Sequence, residues 1–337
     1  MPAKWILRKG TKKSGFGYED ARGKQIKSRE VLERIDSLRI PPAWKDVHVA
    51  ATPRSAIQVW GFDARGRKQY RYHPRAVEKG ELRKHYRVRQ MARDLPSIRS
   101  RVSRDFRSRG HSSDKVCAGI VRLIGDAFFR VGSDRYAKEN NSFGITTLRK
   151  SHVQIDGDSV HFRYRGKKGV DQWQVVTGQD VVRFVRAMMK TPGPRLFRYQ
   201  EGGKWRNVEA DDVNDYLRSI TDFPYTVKDF RTWGGTLRAA TVLAELGPAK
   251  SQSMRKKNVL TAVRLVAAEL GNTPTICRKS YVHPVVLQKY LRSAAVINLE
   301  SRRPASTSSA HSPEEGALIE FLDAHFPERR KERRVEE

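Results

Sequence analysis

Cys277-Arg278-Lys279-Ser280-Tyr281-Val282-His283-Pro284 places a tyrosine at a helix end, beside an arginine and a lysine. A second charged cluster, Lys228-Asp229-Phe230-Arg231, precedes it, in a chain of formal net charge +30. A phenol attacking a phosphodiester must lose its proton and approach an anion, and the five-coordinate phosphorus then gathers negative charge. Fixed cations answer all three demands. An unperturbed tyrosine has a pKa of about 10, so only roughly one molecule in a thousand is phenolate at neutral pH without such help. The same stretch also reads as a buried helix-end aromatic beside a solvated charged face. The rest of the chain has to choose between the two.

Composition narrows the choice. At 337 residues, with 38% hydrophobic and 9% aromatic side chains, the chain is long enough for two domains with ordinary cores. Lys and Arg number 67 against 37 Asp and Glu, for a pI near 10.5, and the excess runs along most of the length. That distribution favours an anionic polymer, nucleic acid, as the working partner over a membrane surface. No run approaches the roughly 18 apolar residues of a membrane span, and Met1-Pro2-Ala3-Lys4-Trp5 lacks a signal-peptide core, so a soluble, intracellular protein is expected. Cys117 and Cys277 stand far apart in helical apolar patterns, against a disulfide framework or a cysteine-based zinc site. The nearest approach to a phosphate loop, Gly17 to Lys24, has five residues between its glycines and ends on Gln25, so nucleotide hydrolysis lacks support. Asp156-Gly157-Asp158, between alternating apolar residues, reads as a hairpin turn and not as a metal site.

The pattern along the chain is that of an α+β protein in three parts. Residues 1–80 look β-rich, with turns at Asp20-Ala21-Arg22-Gly23 and Asp63-Ala64-Arg65-Gly66 and alternation in Ile57-Gln58-Val59-Trp60. Residues 81–300 look mainly helical. Basic helices are expected over 77–108, and Ser112-Ser113-Asp114 starts a helix carrying Val116, Ile120, Leu123, Ala127 and Phe128 on one face. A β section spans about 144–176, after which Thr177 and Asp180 read as a capping pair for a helix to Met189. Further helices are expected at 209–220, 228–246 and 253–270, the last stopped by Gly271. In the third part, 301–313 is a low-complexity linker, and 314–337 has an amphipathic pattern through Leu318, Phe321, Leu322 and Phe326.

Two more basic positions have distinctive surroundings. Phe128-Phe129-Arg130-Val131-Gly132 leads into Tyr136-Ala137-Lys138-Glu139-Asn140-Asn141-Ser142-Phe143-Gly144-Ile145-Thr146-Thr147-Leu148. Gly166-Lys167-Lys168-Gly169 lies between two strand-like runs, and a lysine at a glycine-flanked hairpin tip can swing its ammonium into a groove as a mobile proton donor. Each taken singly is also readable as a surface phosphate contact.

The order Arg130, Lys167, Arg231, Tyr281, with these flanks, resembles the type IB DNA topoisomerases, specifically the small branch found in poxviruses and bacteria. The resemblance runs from about residue 5 to about 295 and includes Gly66-Arg67-Lys68-Gln69-Tyr70-Arg71-Tyr72. It implies a β-rich amino-terminal DNA clamp and a helical catalytic domain of the topoisomerase IB and tyrosine recombinase type, with a β hairpin insertion. It further implies that Tyr281 attacks a backbone phosphorus and holds the 3′ end, that Arg130 and Arg231 pair with non-bridging oxygens, and that Lys167 protonates the departing 5′ oxygen. The stored phosphotyrosyl bond would allow resealing, and so relaxation of positive and negative supercoils, without ATP or metal.

Viral and eukaryotic members place a histidine nine residues before the tyrosine, where this chain has Asn272. Bacterial members of the family commonly have asparagine there, and its amide can donate to a phosphate oxygen; capping of a helix near Thr273 is the other reading. Gln69, Tyr70 and Tyr72, with Tyr136, Lys138 and Lys228, resemble DNA-facing residues. The resemblance implies a cytoplasmic, nucleoid-associated bacterial monomer on double-stranded DNA, with neither nucleotide nor membrane. Two rivals remain at this point: a tyrosine recombinase and a DNA-coating protein without catalysis.

Overall fold

A computed structural model describes residues 5–299 and 310–326. The chain forms two compact units, Met1–His85 and Tyr86–Glu337, and the helix near the carboxyl end belongs to the second.

In the first unit β1 (Trp5–Thr11), β2 (Gly15–Glu19), β3 (Lys45–Ala50), β4 (Ile57–Phe62) and β5 (Lys68–Tyr72) make one antiparallel sheet in the order β2-β1-β3-β4-β5. Helix α1 (Arg29–Ser37) contributes Ile35 to a core with Ile6, Val47, Val49 and Val59. Strand alternation sends these residues to one face and Trp5, His48, Trp60 and Phe62 to the other. Both expected Asp-x-x-Gly turns form. Asp20 Oδ1 accepts from the amides of Arg22 and Lys24 at 2.8 and 2.9 Å, and Asp63 Oδ1 from those of Arg65 and Arg67 at 2.9 and 3.0 Å. The Arg67 guanidinium, with these amides, holds the Asp63 carboxyl down at about 2.

The expected cluster of basic helices is a single one, α2 (Pro74–Phe106), in which Val88, Met91, Leu95, Ile98, Val102 and Phe106 make one buried stripe. Next comes α3 (Ser113–Ala127), where Ser112 Oγ accepts from the Lys115 amide at 3.3 Å as the N-cap. Phe128 ends the helix in the left-handed region, φ 53°. After α4 (Asp134–Asn140) a three-stranded sheet runs β6 (Val153–Asp156), β7 (Ser159–Arg165), β8 (Asp171–Thr177), with Asp156-Gly157-Asp158 at its first turn as expected.

Helix α5 (Gln179–Met189) follows, but Thr177 and Asp180 do not cap it. Thr177 is the last residue of β8, Gly178 is the cap residue with φ 125°, and Asp180 turns to Arg122. A hairpin, β9 (Arg198–Glu201) and β10 (Lys204–Asn207), has no counterpart in the sequence reading. Helices α6 (Ala210–Ser219), α7 (Val227–Leu246), α8 (Gln252–Leu270), α9 (Pro274–Ser280), α10 (Pro284–Ser293) and α11 (Pro313–His325) complete the unit. Leu318, Phe321 and Leu322 of α11 join the same core as α2 and α7. Residues 300–309 and 327–337, which hold most of the expected linker and the end of the expected tail, lie outside the described residues.

Candidate active site

Arg130 is set by the turn that ends α3. The left-handed Phe128 swings the chain, Phe129 is buried, and the Arg130 and Val131 carbonyls accept from the amides of Ile145 and Thr146 at 2.8 and 2.9 Å. Gly144 allows this pairing, since a Cβ there would come within 2.6 Å of the Arg130 carbonyl oxygen. The conspicuous block from Phe128 to Leu148 is therefore a clasp that holds one arginine.

Both site arginines converge on the carboxyl end of α8, where carbonyls lack helical donors and the helix dipole favours cations. Arg130 Nη2 donates to Leu270 O (3.2 Å), Gly271 O (2.6 Å) and Asn272 Oδ1 (2.8 Å), and its Nη1 donates to Gln172 Oε1 at 3.3 Å. Arg231, in the second turn of α7 and 4% exposed, donates through Nη2 to Leu270 O at 2.9 Å and through Nη1 to the Phe128 carbonyl. Its Nε is buried and meets no hydrogen-bond acceptor among the described residues. Burial, followed by the Arg130 charge, lowers the Arg231 pKa, and the Tyr281 phenol partly opposes this.

Tyr281 closes α9 as its C-cap residue, its amide donating to Cys277 O at 2.9 Å. Its ring lies over Arg231, with Cζ 5.3 Å from the centroid. The glycine pair in α7 makes room for this packing. A Cβ at Gly234 would fall 1.9 Å from the Phe128 ring, and one at Gly235 would fall 2.8 Å from the Tyr281 carbonyl oxygen.

The remaining groups close one cleft of about 720 Å³, lined by Arg130, Lys167, Lys228, Arg231, Asn272 and Tyr281 among others. Lys167 is exposed at the β7–β8 tip, in a short 3₁₀ turn where Lys168 takes φ 64° and Gly169 φ 74°. Asn272 lines the cleft, and the cap of α9 belongs to its neighbour Thr273, whose side chain accepts from the Ile276 amide at 3.3 Å. Capping therefore does not explain Asn272.

Two other candidate nucleophiles near these arginines are held protonated by burial. The thiol of Cys277 is pushed up to about 11 and the phenol of Tyr164 to about 12, against the pull of Arg130 and Arg231.

Several of these residues give no signal in the sequence. Gln172 belongs to a β strand, yet it orients Arg130, and a Cβ on Gly271 would fall 2.4 Å from its Oε1. Asp229, 2% exposed, takes a bidentate pair from Arg87 at 2.9 and 3.0 Å and accepts from the Thr226 amide, anchoring the start of α7 below Arg231. Trp173 stands at the cleft, 64% exposed, with Arg163 Cζ 4.9 Å from its ring. Only its exposure in the fold makes it stand out.

Other expected positions lie elsewhere. Tyr136 and Lys138 are exposed on α4 and do not line the cleft. Gln69, Tyr70 and Tyr72 belong to β5 in the first unit. There Tyr70 and Tyr72 stack at 5.9 Å on one face, while Gln69 points to the other and donates to Asp63 Oδ2 at 3.0 Å.

A tyrosine packed on a buried guanidinium, in a cleft where Arg130, Lys167, Lys168 and Lys228 outnumber the acidic Asp171 and Glu269, fits the class of enzymes that act on phosphodiesters, on a chain basic enough for DNA. The family described as "Eukaryotic DNA topoisomerase I, catalytic core" matches residues 73–304, and "Bacterial DNA topoisomerase IB, N-terminal domain" matches residues 15–63. DNA topoisomerase 1B of Acanthamoeba polyphaga mimivirus is 33% identical over 267 residues, covering 77% of this chain and 80% of that one. DNA topoisomerase 1B of Vaccinia virus (strain Copenhagen) is 23% identical over 235 residues, covering 68% and 70%. Among solved structures, a XerH site-specific recombinase bound to palindromic difH substrate aligns with TM-score 0.37 and 12% identity over 57% of this chain and 48% of that one.

The chain belongs to the type IB DNA topoisomerases, in their poxvirus and bacterial branch. Membership in a family of enzymes removes the reading as an inert DNA coat, and the family is not that of the recombinases. Among the described residues no helix is long and apolar enough to cross a membrane.

Proposed function

We propose that the cleft cuts and reseals one strand of duplex DNA by two transesterifications, with Tyr281 as the nucleophile. One observation carries the reading: Arg130, Lys167, Arg231, Asn272 and Tyr281, contributed by separate segments, line a single cleft in which the buried Arg231 Nε meets no hydrogen-bond acceptor among the described residues. A donor of that kind is costly unless a ligand oxygen completes it.

In the forward step Tyr281 Oη gives up its proton to water and bonds to the scissile phosphorus. The bond to the 5′ oxygen breaks, and Lys167 protonates that oxygen as it leaves. Arg231 Nε and the free edge of Arg130 donate to the non-bridging oxygens, where charge builds, and Asn272 Nδ2 donates a further bond. The phosphotyrosyl ester keeps an energy close to that of the bond it replaces. The freed 5′ end turns about the intact strand under torsion, and its hydroxyl then attacks phosphorus to expel Tyr281. No step calls for ATP or a metal ion.

Lys228 at the cleft, and Tyr136 and Lys138 on α4, supply contacts to the duplex. Residues 1–80 serve as the clamp domain through Gln69, Tyr70 and Tyr72, and the chain works as a monomer on the nucleoid. The test is relaxation of supercoiled plasmid in EDTA without ATP, followed by a denaturing quench to trap protein on DNA. Wild type should relax the plasmid and yield an adduct at Tyr281, and Tyr281→Phe should do neither. An adduct that persists in Tyr281→Phe removes this reading.

A further inference from the structure

Behind the cleft, the carboxyl-terminal segment is bonded into the elements that carry Arg231 and Tyr281. Pro96 inside α2 supplies no N–H, so the Ala92 carbonyl loses its helical donor. His311 Nε2 takes that place at 2.7 Å, and since a carbonyl can only accept, this nitrogen carries the proton. Ser312 then caps α11, its Oγ accepting from the Glu315 amide at 3.2 Å while Glu315 Oε2 accepts from the Ser312 amide at 3.0 Å.

Glu315 is the first anchor. It is 4% exposed, takes a bidentate pair from Arg99 at 2.6 and 2.8 Å, and accepts from Trp233 Nε1 at 3.4 Å. Trp233 stands two residues after Arg231 on α7. Phe326 is the second anchor. Its carbonyl accepts from Arg89 Nη1 at 3.0 Å, and its ring meets His283 edge-on, 4.7 Å between centroids and 83° between planes. His283 stands two residues after Tyr281. Its backbone N–H donates to Thr236 Oγ1 at 3.0 Å, and that hydroxyl lies 3.4 Å from the Tyr281 carbonyl oxygen. Neither Glu315 nor Phe326 lines the cleft.

We propose that residues 310–326 are a positioning brace. Docked, they fix the spacing of Arg231 and Tyr281, and they are required for strand cleavage but not for holding DNA. This rests on Tyr281 being the nucleophile. A geometric brace and a mere piece of core differ in what they disturb: loss of core lowers stability and affinity together, whereas loss of aim lowers the chemical rate alone.

The test uses full-length Phe326→Ala, Phe326→Leu, Phe326→Tyr and Glu315→Gln. Covalent capture of a nicked duplex is followed in a single turnover, and noncovalent affinity is measured with each change placed on Tyr281→Phe. Phe326→Ala and Glu315→Gln should slow capture by about tenfold or more with affinity unchanged. Phe326→Tyr keeps the ring edge on His283 and should retain the rate, and Phe326→Leu, which fills the space without an aromatic edge, should fall between.

Capture at the wild-type rate in Phe326→Ala, or affinity lost in step with rate, overturns the brace. If the alanine variant does not fold, the leucine and tyrosine variants decide, and equal rates in those two overturn it as well. These failures leave Tyr281 standing, whereas an adduct in Tyr281→Phe removes the catalytic reading itself.

Discussion

At Asn272 the chemistry of one amide fixes what can be expected of it. Arg130 is purely a donor, so the oxygen of the amide faces it at 2.8 Å and the nitrogen faces away. Within the protein that nitrogen has only weak acceptors, Leu270 O at 3.4 Å and the Cys277 sulfur. A phosphate oxygen in the cleft is a stronger acceptor and can take their place. Aspartate has the same shape and would keep Arg130, but it would place a negative charge beside the phosphate with nothing to donate. Single-turnover cleavage should therefore rank Asn272 above Asn272→Ala and Asn272→Asp last. The alanine should cost up to about 10²-fold, the scale of one lost transition-state donor. Cleavage by Asn272→Asp at the wild-type rate would mean that the amide donates nothing that matters.

The helices show how a neutral residue can control the site. Gly235 carries no charge and touches no ligand, yet a methyl group there would crowd the Tyr281 carbonyl at 2.8 Å and its Cβ at 3.4 Å, on a helix too well packed to move aside. Gly235→Ala should slow covalent capture strongly while plasmid binding persists. Gly80→Ala, in α2 with nothing within 4 Å of the new methyl, should raise thermal stability by roughly 0.5 to 1 kcal/mol. Equal capture rates for the two variants would separate Gly235 from the nucleophile.

At this scale the sequence is legible wherever a signal is local. Ser112, Gly271 and the two Asp-x-x-Gly turns act within a few residues, and the stripes of α3 and α8 repeat at the helical period. The cations that line the cleft, Arg130, Lys167, Lys228 and Arg231, stand out in the sequence by type and order. Gln172, Asp229 and Trp233 do not, because their partners Arg130, Arg87 and Glu315 are distant in sequence and meet only through tertiary packing. The short β9–β10 hairpin escaped for want of alternation, and the single helix of α2 escaped because Pro96 reads locally as a break.

Across the whole molecule, the acidic residues are partly withdrawn into structure. Asp229 pairs with Arg87, Glu315 with Arg99, Asp134 with Arg195 and Asp63 with Arg67, while the net charge stays at +30. The surplus cations must then draw much of their binding energy from releasing counterions, and affinity should fall about 10³- to 10⁵-fold between 50 and 200 mM salt if six to ten phosphates are engaged. Trp173 allows this field to be separated from contact. Exposed at the cleft beneath Arg163, it offers a flat apolar surface to a sugar or base, and such stacking is not an ionic interaction. Measured on Tyr281→Phe, Arg163→Ala should make the logarithmic salt dependence shallower by about one phosphate's worth. Trp173→Ala should weaken binding by a constant factor, leaving the slope unchanged. If removing the tryptophan alters the slope as the arginine does, its part is to hold Arg163 in place and the ring does not touch DNA.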